Sequence, residues 1–151
     1  MFTNAAVTET AKIAAAIKVG TVSSTPLVGN YVDMSKYHRV DFILATGTIN
    51  ASETVDCLVQ TDTVSTFDDS AATLASSTAE VLSDDQVAII SIKAEDLPAL
   101  DRYARMTATG SAATGGPAAI IALGYPRYSD IDDGTPTVSG EIDAVKERIF
   151  A

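Results

Sequence analysis

Thr54-Val55-Asp56-Cys57-Leu58-Val59-Gln60-Thr61 is the stretch whose reading decides the fold. Val55, Cys57 and Val59 alternate with Asp56, Leu58 and Gln60, close to the period-two pattern of a half-buried strand. Upstream, Arg39-Val40-Asp41-Phe42-Ile43-Leu44-Ala45-Thr46 sets Val40, Phe42 and Leu44 on one face and Asp41 on the other. Downstream, Gln86-Val87-Ala88-Ile89-Ile90-Ser91-Ile92-Lys93 does the same with Ala88, Ile90 and Ile92. Two more strand segments follow, residues 102–108 and 118–125, separated by the turn-rich Gly110-Ser111-Ala112-Ala113-Thr114-Gly115-Gly116-Pro117. That separation is compatible with antiparallel neighbours, and residues 47–53 are short enough to join the first two strands as a hairpin. Residues 19–24 and 27–34 carry weaker strand signals, interrupted by Gly20, Pro26 and Gly29, and are expected as edge strands.

Strands at short spacing, polar links and no long helix between them predict a mainly β protein, an antiparallel β-sandwich or barrel with short terminal arms. Residues 1–18 are expected as an N-terminal arm with a short helix, because residues 8–18 are Ala-rich with Ile13 and Ile17 four apart. Such a helix is marginal without packing. The sandwich is assigned to residues 19–128 and a C-terminal arm to 129–151. In that arm Ser139 is placed to cap a helix, Glu141 and Asp143 lie near its start, and Lys146 and Arg148 near its end. This charge order complements the helix dipole. Ile142, Val145 and Ile149 fall on one face of it.

The 151 residues suit one domain and bury enough surface to fold without disulfides or a structural metal. Twenty acidic against ten basic side chains, a net charge of −10, argue against nucleic acid as a partner, which requires a basic stripe. One Cys and one His exclude an internal disulfide, a multi-Cys zinc site and a histidine cluster. The hydrophobic share of 46% is rich in Ala, so the core must come from the larger apolar residues. No apolar run is long enough to span a membrane, and the N-terminal residues do not read as a secretory signal. The expected location is therefore the cytosol, or a particle assembled there.

No motif for chemistry survives inspection. His38 stands before a strand, with no Gly-x-Ser-x-Gly elbow to supply a nucleophile. Cys57 shares a strand face with Val55 and Val59, beside Asp56 rather than a basic group, and reads as a small buried hydrophobe. Asp130-Ile131-Asp132-Asp133-Gly134, with Glu141 beyond, invites a calcium-loop reading. The glycine, however, comes one position early and is followed by Thr135 and Pro136. The pairs Asp68-Asp69 and Asp84-Asp85 read as loop surface, and Gly115-Gly116-Pro117 lacks the Lys of a phosphate-binding loop. No catalytic, cofactor-binding or metal-binding residue is therefore expected, and the chain is expected not to be an enzyme.

Three short patterns carry a family resemblance: the Gly-x-Tyr-x-Asp-Met lead-in of Gly29-Asn30-Tyr31-Val32-Asp33-Met34, the Thr-Val-Asp-x-x-Val-Gln strand of residues 54–60, and Arg102-Tyr103-Ala104-Arg105. Their succession, over about residues 20–128, resembles small structural proteins of tailed-bacteriophage particles. The resemblance implies a non-enzymatic virion component, a head decoration (cement) protein on the capsid surface, assembled in the host cytoplasm. Its partners would be the major capsid protein and further copies of itself, as a homotrimer, with no nucleic acid and no membrane. A tail or head–tail connector protein and a carbohydrate-binding β-sandwich module are the alternatives.

Overall fold

The fold was obtained as a computed structural model, which describes residues 12–49, 53–68, 71–74, 80–82, 84–113 and 115–126. Ten strands occupy most of this length: β1 (Lys12–Val22), β2 (Leu27–Val28), β3 (Val32–Asp33), β4 (Tyr37–Thr46), β5 (Val55–Asp62), β6 (Ala72–Thr73), β7 (Glu80–Leu82), β8 (Val87–Lys93), β9 (Tyr103–Gly110) and β10 (Gly116–Pro126). A 3-10 turn, Ala94–Asp96, the only helical element among the described residues, follows β8. The strands form two antiparallel sheets packed face to face, a β-sandwich and not a closed barrel. Sheet A has the order β1-β10-β4-β8. Sheet B is built on the β5–β9 pair, with β2 and β3 along the outer edge of β9 and β6 and β7 along that of β5.

The alternation read in the sequence selects the inward faces. Val40, Phe42 and Leu44 of β4 are fully buried, and Ala88, Ile90 and Ile92 of β8 nearly so. Val55, Cys57 and Val59 of β5 face them from sheet B, with Ala104, Met106 and Ala108 of β9. Each large side chain removed from water here contributes about 2 kcal/mol, which is why the register of these strands is firmly specified. Tyr37 closes one end of the core beneath β10, where Gly124 leaves room for its ring.

The connectivity departs from the sequence expectation. Neither anticipated hairpin forms, because successive long strands alternate between sheets: β4 lies in sheet A, β5 in B, β8 in A, β9 in B and β10 in A. The two links cross the end of the sandwich. In the first, Ile49 turns into the core at 6% exposure while its N–H donates to Asp84 Oδ1 at 2.7 Å. A Cβ on Gly116 would overlap the backbone of residues 48 and 49, so glycine is required for this crossing. In the second, the Gly110 N–H donates to Ser23 O at 2.7 Å, and Gly115, at φ +48°, sits against the backbone of Val22. Turn residues signal a reversal of the chain but not which sheet receives the next strand.

The N-terminal boundary also needs correction. Residues 12–18, expected within a helix-bearing arm, belong to β1, which pairs antiparallel with β10 from Lys12↔Gly124 to Val22↔Gly116. Sheet pairing outweighs the weak helical preference of a short Ala-rich stretch, and two register shifts before Lys18 absorb its irregular pattern. The edge-strand reading holds: residues 19–22 end the edge strand β1, and β2 and β3 flank β9. The expected C-terminal arm and its helix lie outside the described residues.

Candidate functional site

The two outer faces of the sandwich differ in kind. On sheet B, residues of three short sequence stretches, 29–34, 54–60 and 102–105, come together. Asp33 of β3 accepts from Arg102 at both oxygens, Nε to Oδ1 at 2.9 Å and Nη2 to Oδ2 at 2.6 Å. The Ser35 N–H (3.0 Å) and Oγ (2.7 Å) add two further bonds to Oδ1. Burial alone would raise the Asp33 carboxyl, but the bonds from Arg102 and Ser35 outweigh it and hold it below the usual carboxylate range. The same pairing pushes the Arg102 guanidinium above its ordinary value.

Three residues on, within β9, Arg105 donates from Nε and Nη2 to Gln60 Oε1, both at 3.1 Å. Its guanidinium stacks 4.2 Å over the ring of Phe67, which the loop after β5 folds down onto the sheet. Desolvation lowers the pKa of Arg105, although Asp62 opposes it. Tyr31 meets Tyr103 edge to face at 5.6 Å. Every charged or amide group in this set is answered by a neighbour, so the arrangement braces sheet B.

Sheet A presents the opposite surface. Read through the strand register, its outer side is a stack of rows. Val19, Ala119, Ala45 and Val87 lie side by side across β1, β10, β4 and β8. Ile121, Ile43 and Ile89 form the next row across β10, β4 and β8. Leu123 stands beside Asp41 in the third, and Tyr125, Arg39 and Lys93 close the fourth. Val19, Val87 and Ile89 are 69%, 62% and 60% exposed. A shallow depression of about 280 Å³ at the first row is lined by Val19, Ala45, Pro117 and Ala119 among others.

The polar end of this face is self-contained. Arg39 donates to both Asp41 oxygens at 2.8 and 3.0 Å, and the Tyr125 hydroxyl donates to Asp41 Oδ2 at 3.0 Å. The Asp41 pairing raises the pKa of Arg39, and the same carboxylate together with burial raises that of the Tyr125 phenol.

The candidates read from sequence are scattered. His38 is exposed on β4 with Nδ1 3.1 Å from Pro126 O, beside an open cleft of about 580 Å³ lined by His38, Lys93, Ala94 and Glu95. Cys57 is fully buried in the core, as its strand face implied. Asp84 and Asp85 occupy the turn before β8 and Asp68 is exposed, while Asp69 lies outside the described residues. Gly115 and Gly116 serve the sheet crossing. Asp130, Asp132, Asp133 and Glu141 also lie outside the described residues. Among the described residues no group of three or more His, Cys, Asp or Glu is placed to hold a metal, and no helix is long and apolar enough to cross a membrane.

The apolar outer face was missed at the sequence level, though a signal was present. Phe42-Ile43-Leu44-Ala45, Ala88-Ile89-Ile90 and Ala118-Ala119-Ile120-Ile121-Ala122-Leu123 are continuous apolar runs, the mark of a strand with two apolar faces. Only one face of each was assigned a role. No known family model and no curated protein sequence matches the chain.

Proposed function

We propose that this chain is a non-enzymatic structural component of a tailed-phage particle, a decoration (cement) protein on the outer surface of the head. The observation that carries this reading is the contrast between the outer faces. One side of a rigid block is apolar over four strands, and the other carries paired polar groups around Asp33 and Arg105. Contiguous exposed apolar surface marks interaction sites with proteins, and a block with one such side suits attachment to a shell. The acidic balance suits a position on the outside of a head, since it offers no affinity for packaged DNA. In this reading the capsid protein and further copies of the chain are the partners, as the phage resemblance implies, with sheet B turned outward.

The test is the position and copy number of the chain in purified particles. Density repeating on the capsid lattice is the expected result. Density confined to the tail axis would assign it to the tail or connector instead. Ile89→Glu, in the apolar face on its edge strand β8, is expected to abolish attachment while the variant keeps its fold.

A further inference from the structure

The edge of a β-sheet presents a row of unpaired backbone N–H and C=O groups, a template for pairing with another chain. Sheet B is bordered by short strands, β2 and β3 beside β9 and β6 and β7 beside β5. In sheet A, β1 forms one edge, with two register shifts against β10 and with Lys12 and Lys18 along it. Short strands, bulges and lysines all blunt an edge. The other edge of sheet A, β8, is regular. It pairs with β4 without a register shift from Arg39↔Lys93 to Ala45↔Val87, contains no proline, and carries its one charge at its last residue, Lys93. Among the described residues no strand pairs with its outer side.

The hydrogen bonds to β4 decide what that side offers. The Thr46 N–H donates to Gln86 O at 2.9 Å, so Gln86 turns its backbone toward β4. Bonding alternates along an antiparallel strand, so Ala88, Ile90 and Ile92 do the same, while Val87, Ile89 and Ser91 aim their N–H and C=O groups outward. The side chains alternate in step, with Ala88, Ile90 and Ile92 buried and the residues between them exposed.

This edge is complementary to itself. Exposed Asp84 and Asp85 precede the strand and Lys93 ends it, so an antiparallel second copy brings acidic end to basic end. Glu95 holds Lys93 loosely, at 3.3 Å with both side chains largely exposed. About a two-fold axis at Ile89, that residue faces Ile89 of the second copy, Val87 faces Ser91, and Lys93 faces Asp85. The row of Ile121, Ile43 and Ile89 then runs on into its symmetry mate. Moving the axis to Ala88 or Ile90 loses both the charge match and the isoleucine row.

We propose that two copies of this chain pair β8 with β8, antiparallel about an axis at Ile89, and so join their A sheets into one. Such a contact closes after two copies. It concerns the chain in solution and does not rest on its place in a particle.

The experiment follows the full chain by sedimentation at about 0.15 M salt. A monomer–dimer equilibrium is expected, with a dissociation constant on the order of 10 μM, because such an edge is small beside the ~800 Å² per partner of a tight pair. Lys93→Asp and Asp85→Lys each set like charges together and should weaken the dimer about tenfold, while the two combined should restore it to within about threefold. Cysteine pairing checks the axis, since native Cys57 is buried. Under mild oxidation Ile89→Cys should link to itself, because facing residues of a hydrogen-bonded pair lie about 5.5 Å apart at Cα. Val87→Cys should link only when mixed with Ser91→Cys. A chain that stays monomeric to about 0.5 mM, or that forms trimers, would overturn the proposal. So would a dimer in which Val87→Cys links to itself as readily as Ile89→Cys, or one that the double exchange, folded by its thermal melt, fails to restore.

Discussion

Sheets A and B share one core, yet they treat their outer faces in opposite ways. Sheet B pairs its two arginines within its own face: Arg102 with Asp33, Arg105 with Gln60 and Phe67. Sheet A keeps its polar groups at one end, around Asp41, and leaves Ile43, Ile89, Ile121, Val19 and Val87 across the rest. Its strands are correspondingly less alternating in sequence. The contrast teaches that the outer layer of sheet B serves stability, whereas that of sheet A contributes little to the fold and is available for contact.

The sharpest way to break this comparison is at Asp33. The carboxylate is almost buried, while Arg102 is half exposed at 52%. Hydrogen bonds to charged groups are worth about 1.5–3 kcal/mol in total effect, discounted here for the solvent around Arg102. Asp33→Ala is expected to destabilise by about 2 kcal/mol, a fall of roughly 6 °C in Tm by calorimetry. A change below 0.5 kcal/mol would mean that the outer layer of sheet B is no more structural than that of sheet A.

The same group sets an acid limb. Its folded pKa is depressed, so its contribution is complete above the unfolded value near 3.9 and is lost as pH falls through the lower folded value. Melts of the parent and of Asp33→Asn should therefore differ most at neutral pH and converge as the pH drops below about 4. Curves that stay parallel to pH 2 would remove Asp33 from the acid response.

Arg105 is the next step down. Arg105→Leu deletes two bonds to Gln60 and the stacking on Phe67, but keeps an aliphatic stem on the sheet. A loss of about 1 kcal/mol is expected in urea unfolding, with Arg105→Lys recovering only part because it lacks the planar fork. Full recovery by Lys would show that charge alone matters there.

What was legible in the sequence follows from what is local. The inward residues of β4, β5 and β8 declare themselves, because period two is written within each strand and burial enforces it. Cys57 was placed correctly by its neighbours for that reason. Connectivity was not legible: residues 47–53 look like a hairpin link, and only the burial of Ile49 and the fit of Gly116 against its backbone show that they cross to the other sheet. Residues 12–18 went astray because Ala suits a helix in isolation, while pairing with β10 is a long-range event. The candidate face was half legible. Runs such as Phe42-Ile43-Leu44-Ala45 announce two apolar sides, but which strands stand together, and so whether the outward residues merge into one surface, depends on the sheet order.

The smallest expected effect carries the other half of the comparison. Ile89 is 60% exposed and lies on the edge strand β8, so Ile89→Thr gives up little burial and keeps a β-branched side chain suited to a strand. Its stability change is expected within about 0.5 kcal/mol of zero, as for surface positions without a buried partner. Ile43→Thr, in the centre of the same row between Ile121 and Ile89, should cost more, about 1 kcal/mol, because its neighbours cover it on both sides. Chemical denaturation of the two variants measures this gradient directly. A near-zero effect at Ile89 rising to about 1 kcal/mol at Ile43 fits a face held open for contact, whereas an Ile89→Thr loss as large as that of Asp33→Ala would mean that this row is as structural as sheet B.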